Sequence, residues 1–174
     1  MRSAKLSGVF SRKTKRLRHR TTLVSNSPNG VFFRAALQSD DAVIQRHVTQ
    51  SQAEAREYRG AVVPVQQKQD DVSFVAGVGD TAFGSLVLSR ISSSEWTISH
   101  VFVEKAAREI GIGDALVINA LTFLETQNAS WIGAQAQPGD RALKNLFERH
   151  GLVAQTIIVG RRLSDPSTAV DASQ

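Results

Sequence analysis

Apolar residues recur in short alternating or continuous runs along most of the chain, and these runs predict β-strands. Two turn signals, Gly79-Asp80 and Ser92-Ser93-Ser94, separate three successive runs, which are therefore expected to form an antiparallel meander. The predicted strands are Val31–Leu37, Val72–Val78, Ala82–Arg90, Glu95–Val103, Trp131–Ala136 and Leu152–Leu163.

Three other segments have the pattern of helices. After an N-cap at Ser39-Asp40-Asp41, helical segments run to about Tyr58. Apolar residues recur at four-residue spacing over Ile112–Gln127, and Gly151 ends a last helix over Arg141–His150. A meander followed by helix, strand, helix and strand predicts an α/β (α+β) fold with a mixed, mostly antiparallel central sheet flanked by helices.

The net charge of +5 belongs to one end of the chain. Eight of the 21 Lys and Arg residues lie within residues 1–30, which contain no acidic residue. Residues 31–174 therefore carry 13 basic and 16 acidic side chains. Because residues 1–30 contain few apolar side chains, we expect a disordered basic tail there. We expect a globular domain over residues 31–163 and a frayed end over residues 164–174.

Three interpretations of the basic tail stay open. It is a solvated extension without a specific partner, or it makes a weak contact with nucleic acid or another polyanion through residues 2–20. The third interpretation is an organellar transit peptide, since the stretch is rich in Arg and Ser and lacks acids.

Composition excludes several classes of chemistry. The sequence contains no cysteine, which excludes disulfides, thiolate metal sites and a cysteine nucleophile. No apolar run approaches the roughly 18 residues that a membrane span needs. We therefore expect a metal-free cytoplasmic protein without membrane contact. The four histidines show no metal-ligand spacing; they are His19, His47, His100 and His150.

One segment, residues 101–116, combines a strand, a short loop with two glycines and the start of an amphipathic helix. Gly111 and Gly113 let the backbone come close to a ligand. The following helix offers unpaired N–H groups and the positive end of its dipole, so a pyrophosphate fits this place. The alternative is a tight turn whose glycines serve helix–strand packing.

The loop resembles the coenzyme A-binding motif of the GNAT acetyltransferases, in which a strand leads into Arg-x-x-Gly-x-Gly at the start of a helix. Here the motif runs from Arg108 to Gly113. Downstream, Trp131–Ala136 and Asp140–Phe147 resemble the family's next strand and second helix, and the resemblance covers about residues 31–163.

The resemblance implies a set of contacts with acyl-CoA. Backbone groups of Phe102 and Val103 are expected to pair with the pantetheine arm, where their strand separates from its neighbour. Acetyl-CoA is the implied co-substrate, and no metal is involved. The resemblance implies that the remaining cofactor-binding residues, along the loop, are Arg108, Glu109, Gly111, Ile112 and Gly113.

The chain departs from the family's pattern at several positions. Phe147 stands where the family commonly has a tyrosine that protonates the leaving thiolate, and the only tyrosine, Tyr58, is distant in sequence. Asp140 replaces a frequent asparagine, and Asp114 places a negative charge beside the predicted phosphate site. Few residues follow Gly151 before the polar end, where the family usually has two strands.

His100 and Glu104 are the candidate catalytic residues for taking a proton from an amine. Histidine titrates near neutrality, and both residues lie on the segment that leads into the glycine loop. The alternatives are a half-buried strand histidine and a solvated surface carboxylate, with water passing the proton instead.

These observations predict an N-acetyltransferase that moves an acyl group, acetyl in the first place, from acyl-CoA to an amine of an unidentified acceptor by direct transfer. The alternative is a non-catalytic acyl-CoA-binding sensor or interaction module of the same fold. A third hypothesis makes the basic tail primary, in a nucleic-acid-associated protein. A monomer and a homodimer are both open.

Overall fold

The computed structural model describes residues 25–26, 30–58, 68, 70–157 and 159. Within that part of the chain lie six strands, three α-helices and two short 3₁₀ turns. The strands are β1 (Ser25–Asn26), β2 (Val31–Ala35), β3 (Val72–Val78), β4 (Thr81–Arg90), β5 (Glu95–Val103) and β6 (Trp131–Ala134). The helices are α1 (Asp41–Ala55), α2 (Ile112–Thr126) and α3 (Arg141–Arg149), and the 3₁₀ turns are Gln38–Asp40 and Lys105–Ala107.

The strands form one sheet in the order β1-β2-β3-β4-β5-β6. Neighbouring strands are antiparallel except for β5 and β6, which run parallel. The chain between β5 and β6 contains α2, as a parallel connection requires. The predicted fold class, a mixed and mostly antiparallel sheet flanked by helices, is confirmed.

A β-bulge in β5 decides which face of the sheet its side chains occupy. Val87 pairs with His100 and Leu88 pairs with Ile98, so Ser99 is an extra residue. Side chains alternate between the two faces of a strand, and one extra residue reverses that alternation. Ile98 consequently packs on the face covered by α2, whereas His100 bonds to groups on the face covered by α1.

Two apolar clusters hold helices on opposite faces of the sheet. Each fully buried large aliphatic side chain stabilises the fold by about 1.5–3 kcal/mol, so these clusters fix the helices firmly. In the larger cluster the buried residues of α2 are Ile112, Leu116, Val117, Ala120 and Leu124. The buried residues of the smaller cluster, which joins α1 to β3 and β4, are Ile44, Val48, Val75 and Val87.

An ion pair fixes the start of α1. The Arg34 guanidinium contacts both carboxylate oxygens of Asp40, with Nη2 to Oδ1 at 2.9 Å. The same carboxylate accepts a hydrogen bond from the N–H of Leu37 at 2.7 Å. The hydrogen bond from Arg34 holds the pKa of Asp40 below its usual value. The acidic residue at the predicted N-cap therefore ties the helix to β2.

The C-terminal strand predicted over Leu152–Leu163 is wrong for residues 152–157, which contain no strand. Leu152 packs against the larger cluster, but the five residues that follow are exposed and pair with no strand of the described chain. The other positions of that predicted strand, apart from residue 159, lie outside the described residues, as does the predicted frayed end over residues 164–174.

Two positions of the segment predicted as a disordered tail, residues 1–30, take part in the sheet. Ser25 and Asn26 form β1 by pairing with Phe33 and Phe32 of β2, so backbone hydrogen bonding extends the sheet into this segment. Residues 2–20, for which a polyanion contact is predicted, lie outside the described residues.

Gly84 of β4 lets α2 come close to the sheet. A Cβ at this position would lie 2.7 Å from Cγ2 of Ile112 and 3.0 Å from Cδ1 of Leu116. Both side chains are fully buried. The missing side chain at residue 84 therefore sets the distance between α2 and β4.

We expect Gly84→Ala to reduce the free energy of unfolding by about 1–3 kcal/mol, because the added methyl group overpacks the core. Gly113→Ala is the matched control, since its Cβ would lie no closer than 3.4 Å to Leu146. An alanine inside a helix is favoured over glycine by roughly 0.5–1 kcal/mol, so the control should be neutral or more stable. Urea denaturation of both variants measures this, and equal effects would contradict the packing argument.

Candidate functional site

β5 and β6 separate halfway along β5. Their pairing begins at Glu95 and Trp131 and stops at Ile98 and Ala134. Beyond that point, residues 99–103 of β5 border a cavity of about 880 Å³ that is also lined by α1, α3 and the start of α2. Sites for small organic ligands commonly have volumes of about 300–1,000 Å³.

Backbone groups of β5 face this gap. The N–H of Glu104 donates to the C=O of Phe83 at a distance of 2.9 Å. This bond fixes which residues of β5 direct their backbone groups toward β4 and which direct them away from it. The backbone groups of Phe102 therefore point toward β4, whereas those of Val101 and Val103 point into the gap left by β6. Of the two residues expected to pair with a pantetheine arm, Val103 offers its N–H, since its C=O accepts from Arg108. Phe102 borders the cavity, but its backbone groups are directed toward β4.

The loop between β5 and α2 is tightly turned. Glu109 has a φ angle of 70° and Gly111 a φ angle of 94°, both in the left-handed region that favours glycine. Gly111 is the N-cap of α2, and the first amides of a helix have no carbonyl partner within it. Glu109, Gly111 and Gly113 border the cavity, so an anionic group there would meet these amides and the positive end of the helix dipole.

Of the two motif glycines, Gly111 is required by its backbone conformation, and Gly113 is not. A Cβ at Gly111 would meet no atom within 4 Å, so the left-handed φ angle requires glycine there. A Cβ at Gly113 would lie 3.4 Å from Leu146 and 3.7 Å from Val103, which are ordinary contact distances between packed side chains. Ile112 is completely buried in the core, so only its backbone is available to a ligand.

Arg108 connects the loop to two other elements. Its Nε donates to the C=O of Val103 at 2.9 Å, and its Nη2 donates to Oε2 of Glu54 in α1 at 2.7 Å. The guanidinium also lies 5.6 Å from the centre of the Phe102 ring. Arg108 borders the cavity, but its charge is already engaged, and it holds the loop in place.

Asp114 points toward the end of α3. Nε2 of His150 lies 2.9 Å from its Oδ1, and Nη2 of Arg149 lies 3.0 Å from the same oxygen. Burial raises the pKa of Asp114, but the hydrogen bonds from Arg149 and His150 outweigh burial and hold the pKa below its ordinary value. The negative charge predicted beside the phosphate site is therefore paired with a cation.

A chain of hydrogen bonds links the two candidate bases. Nε2 of His100 lies 3.2 Å from Oγ of Ser85, and Nδ1 of His47 lies 3.0 Å from the same oxygen. Nε2 of His47 lies 3.0 Å from Oε1 of Glu104, which also accepts a hydrogen bond from Arg46 at 2.8 Å. His47 and Ser85 are completely buried, and His100 is 5% exposed.

Burial keeps both histidines neutral near pH 7. It lowers the pKa of His100 to about 4, with a smaller contribution from His47. Burial also lowers the pKa of His47, and the hydrogen bond to Glu104 opposes this shift without reversing it. Burial raises the pKa of Glu104, but hydrogen bonds from His47 and Arg46 outweigh burial, so the pKa lies below its ordinary value.

Sequence reasoning missed His47 and Ser85. A usable signal existed for the histidine, because Ile44, His47 and Val48 share one face of α1 and that face is buried. No comparable signal marks Ser85, a single hydroxyl within an apolar strand.

The structure brings Tyr58 to the cavity despite its distance in sequence from α3. Its Cδ1 lies 3.7 Å from the place of a Cβ on Gly139, next to Asp140. The charge of Asp140 raises the pKa of Tyr58, so the phenol is neutral. Asp140 caps α3 by accepting from the N–H of Leu143 at 2.9 Å. Phe147 also borders the cavity, is 5% exposed and carries no hydroxyl group.

Within the described part of the chain, no group of three or more His, Asp or Glu side chains has an arrangement that could hold a metal ion. No helix among the described residues has both the length and the apolar character needed to cross a membrane.

Comparison of the sequence with known proteins gives one family. The sequence profile of the acetyltransferase (GNAT) family matches residues 37–152. A search of curated protein sequences finds no match.

Solved structures share the fold at low sequence identity. A transcriptional regulator from Bacillus halodurans C-125 superposes with a TM-score of 0.59 at 18% identity, over 76% of this chain and 99% of that one. A ribosomal-protein-alanine N-acetyltransferase from Brucella melitensis biovar Abortus 2308 gives 0.59 at 16% identity, over 77% and 99%. An aminoglycoside N-acetyltransferase solved in complex with CoA gives 0.58 at 15% identity, over 76% and 99%.

The depressed pKa of His100 predicts a loss of stability in acid. Below about pH 6.5 the unfolded chain binds a proton at this histidine, whereas the folded protein binds one only near pH 4. The contribution of His100 to stability is therefore complete above pH 6.5 and falls as the pH decreases to 4. Between pH 7 and pH 4.5 this loss should be about 2–3 kcal/mol.

Urea denaturation at the two pH values, on the natural chain and on His100→Gln, measures this contribution. Glutamine keeps a donor for Ser85 but binds no proton, so the variant should lack this part of the pH dependence. Other groups with lowered pKa values, such as Asp40, lose stability in acid in both proteins and cancel. Equal pH dependence of the two proteins would show that His100 of the folded protein binds a proton as readily as it does in the unfolded chain.

Proposed function

The chain belongs to the acetyltransferase (GNAT) family, and from that premise we propose that it is an acyl-CoA-dependent N-acyltransferase. The reaction is the direct transfer of an acyl group, acetyl in the first place, from acyl-CoA to an amine of an acceptor. Acetyl-CoA is a co-substrate here, and the reaction uses no metal.

One observation carries this proposal: residues 99–103 of β5, whose edge beyond β6 pairs with no strand among the described residues, border the same cavity as the N-terminus of α2. The open edge supplies backbone donors and acceptors for an amide-containing arm. The helix N-terminus supplies N–H groups and a positive dipole end for a pyrophosphate. A ligand that combines an extended amide chain with a pyrophosphate, as coenzyme A does, matches both features at once.

The proposed binding residues follow from this match. Val103, together with Val101, offers backbone groups to the pantetheine arm, and Phe102 forms part of the cavity wall. Arg108 keeps the loop attached to β5 and α1 through its contacts with Val103 and Glu54. The residues whose amides are proposed to surround the pyrophosphate are Glu109, Gly111, Ile112 and Gly113.

The chemistry needs a polarised carbonyl and an acceptor for one proton. An N–H group at the open edge of β5 can donate to the thioester oxygen, where negative charge develops in the transition state. His100 is the proposed base, because it borders the cavity and is neutral near pH 7, which leaves a nitrogen lone pair available. The cavity also aligns the two reactants, which supplies a large part of the rate enhancement.

The acceptor side of the cavity is formed by the C-terminal half of α1 and the start of α3. It offers hydroxyl, amide and carboxylate groups, which suit a polar amine. Two of the structural neighbours carry names of enzymes for aminoglycosides and for ribosomal-protein alanine, so both acceptor classes belong in a screen. The polar side chains of this surface include Ser51, Gln52, Glu54, Tyr58 and Asp140.

The alternative is a domain that binds acyl-CoA without turnover. Phe147 favours this alternative, since no hydroxyl group is available at the position where the family commonly has its proton donor. Binding and turnover measured separately distinguish the two functions.

Acetyl-CoA should bind and raise the melting temperature. At a ligand concentration of about 100 times Kd, a ligand that binds only the folded state stabilises it by about 2.7 kcal/mol. For a chain of this size that corresponds to a shift of roughly 5–10 °C. Thermal denaturation with millimolar acetyl-CoA, and titration calorimetry for Kd, measure the effect. A folded protein without any shift would remove the basis of both functions.

Release of free thiol from acetyl-CoA is then followed with panels of aminoglycosides, polyamines and peptides that begin with alanine. Turnover with one class identifies an enzyme and its acceptor. Binding of acetyl-CoA without thiol release in any panel would favour the non-catalytic alternative.

Val103→Pro should weaken acetyl-CoA binding by about tenfold or more, equivalent to about 1.4 kcal/mol. Proline removes the N–H of residue 103. That N–H faces the gap and not β4, so the hydrogen bonds between β4 and β5 are kept. Phe102→Pro is the contrasting variant, because it removes an N–H that bonds to β4 and should destabilise the fold. Calorimetry gives Kd and thermal denaturation gives stability. Unchanged Kd in folded Val103→Pro would show that the open edge of β5 does not hold the ligand.

A further inference from the structure

We propose that His100, Ser85, His47 and Glu104 form a proton relay that holds the amine's proton during acyl transfer and returns it to the leaving thiolate. This inference rests on the proposed acyltransferase function. It assigns roles to Ser85 and His47, two buried residues without any motif, and it joins both candidate bases into one device.

The direction of the hydrogen bonds follows from the end of the chain at Glu104. A carboxylate only accepts, so Nε2 of His47, at 3.0 Å, carries the proton between them. Nδ1 of the neutral His47 is then an acceptor and takes the hydroxyl proton of Ser85 at 3.0 Å. The Ser85 oxygen in turn accepts from Nε2 of His100 at 3.2 Å. Each hydrogen bond thus has one orientation.

The remaining ring nitrogen of His100 lies at the other end of this chain. In a neutral imidazole whose Nε2 carries the proton, Nδ1 holds a lone pair. Among the described residues no side chain or backbone group bonds to Nδ1 of His100, and the residue borders the cavity. The chain therefore ends in a free acceptor on the side where the amine is proposed to react.

Burial insulates the middle of the chain from solvent. His47 and Ser85 are completely buried, whereas the Glu104 side chain is 25% exposed. The ring of Phe102, 5.5 Å from that of His47, covers the chain on the β5 side. A proton that leaves His100 by Nε2 therefore has one hydrogen-bonded route, and that route ends at Glu104.

The proton steps balance. The amine nitrogen bonds to the thioester carbonyl carbon, and the cationic nitrogen of the adduct gives one proton to Nδ1 of His100. The Nε2 proton of His100 passes to Ser85, the hydroxyl proton of Ser85 passes to Nδ1 of His47, and the Nε2 proton of His47 passes to Glu104. The carbon–sulfur bond then breaks with its electron pair on sulfur. Reverse movement along the chain protonates the thiolate, and all four groups return to their starting states.

This return step supplies the proton that the side chain of Phe147 cannot donate to the thiolate. No hydroxyl group is present at that position to protonate the thiolate. A proton held on a carboxylic acid moves downhill to a thiolate, since the reference pKa of a carboxyl group is about 4 and that of a thiol about 8.5. The relay therefore gives the proton back without any further donor.

Ser85, His47 and Glu104 also have the order of a nucleophilic triad, but burial excludes that role. Oγ of Ser85 lies between two imidazoles inside the sheet–helix interface, and the residue has no exposed surface. A thioester cannot reach it. Its hydroxyl can transfer a proton, which needs no contact with the substrate.

Nitrogen-15 NMR of the full chain at pH 7 tests the starting arrangement without any acceptor. With histidine resonances assigned through backbone correlations, His47 and His100 should both carry their proton on Nε2. Either residue with its proton on Nδ1 would overturn the relay, whether or not an acceptor has been found.

Glu104→Gln tests transfer itself in the presence of an acceptor identified by thiol release. The glutamine oxygen still accepts from His47 but cannot take its proton. The kcat should fall by about tenfold or more, while Kd for acetyl-CoA stays the same. The solvent deuterium isotope effect on kcat should decrease, since fewer protons move in the slow step. Glu104→Asp should restore part of the rate.

Two control variants separate the relay from charge and from the surface ion pair. Glu57→Gln removes an exposed carboxylate that borders the same surface depression as Glu104. Arg46→Gln breaks the ion pair but leaves the carboxylate of Glu104 in place. Glu57→Gln should keep the kcat. Arg46→Gln removes a hydrogen bond that lowers the pKa of Glu104, so it should change the kcat, but less than Glu104→Gln does. A Glu104→Gln rate equal to that of the controls would overturn the relay while leaving the acyltransferase function intact.

Two further outcomes of these experiments also have a defined meaning. If Glu104→Gln does not fold, Ser85→Ala interrupts the chain without any change in charge, and an unchanged kcat in that variant would overturn the relay. If the natural chain releases no thiol with any amine, the proposed function fails, and the NMR result alone decides whether the hydrogen-bonded chain has the inferred orientation.

Discussion

The single extra residue in β5, Ser99, is the constraint on which the rest of the site depends. A bulge bends its strand and increases the local twist. The pairing with β6 ends at Ile98, immediately before the bulge, so the two strands diverge from that point. The same extra residue turns His100 and Phe102 to the face of α1 and leaves Val101 and Val103 toward α2. One residue therefore opens the cavity and also decides which side chains lie beside it.

An open edge inside a domain is stable only if its surroundings are held apart. Unpaired backbone groups cost free energy unless water or a ligand binds them, so neighbouring elements would otherwise close over the gap. Gly84 fixes α2 against β4 on one side. Arg108 connects the loop to β5 and to Glu54 of α1 on the other. Arg108 of the motif therefore contributes to the site by connecting two layers of the fold.

The sequence was sufficient for most of the fold, because each element contains a local periodicity that packing then reinforces. Five strands and three helices lie within a few residues of their predicted bounds. The site was harder to predict. An alternating strand without a bulge would place His100 on the same face as Trp96 and Ile98, in the apolar core. Where a bulge falls depends on the pairing of two strands, and no pattern in β5 alone marks Ser99. Likewise, Tyr58 contacts Gly139 only because the segment after α1 lies beside the turn before α3 in the folded chain.

The polar cluster between α1 and the sheet, formed by His47, Ser85, His100 and Glu104, is costly unless every group in it is paired. Removing an imidazole or a hydroxyl from water without a partner costs on the order of 1–3 kcal/mol. In this cluster the Ser85 hydroxyl meets an imidazole on each side, and both nitrogens of His47 are bonded. Apolar residues such as Ile44 and Val48 already attach α1 to the sheet, so adhesion of the helix does not require the cluster. A fully apolar interface would be simpler to bury. What the polar residues add is a connected path from the cavity to a carboxylate, and among the imidazole and hydroxyl groups of this cluster only Nδ1 of His100 has no partner within the described residues. The cluster is therefore paired throughout its buried part, and it reaches the cavity at His100 and the partly exposed carboxylate of Glu104 at its other end. This is the arrangement expected of groups that move a proton and not of groups that only fill a core.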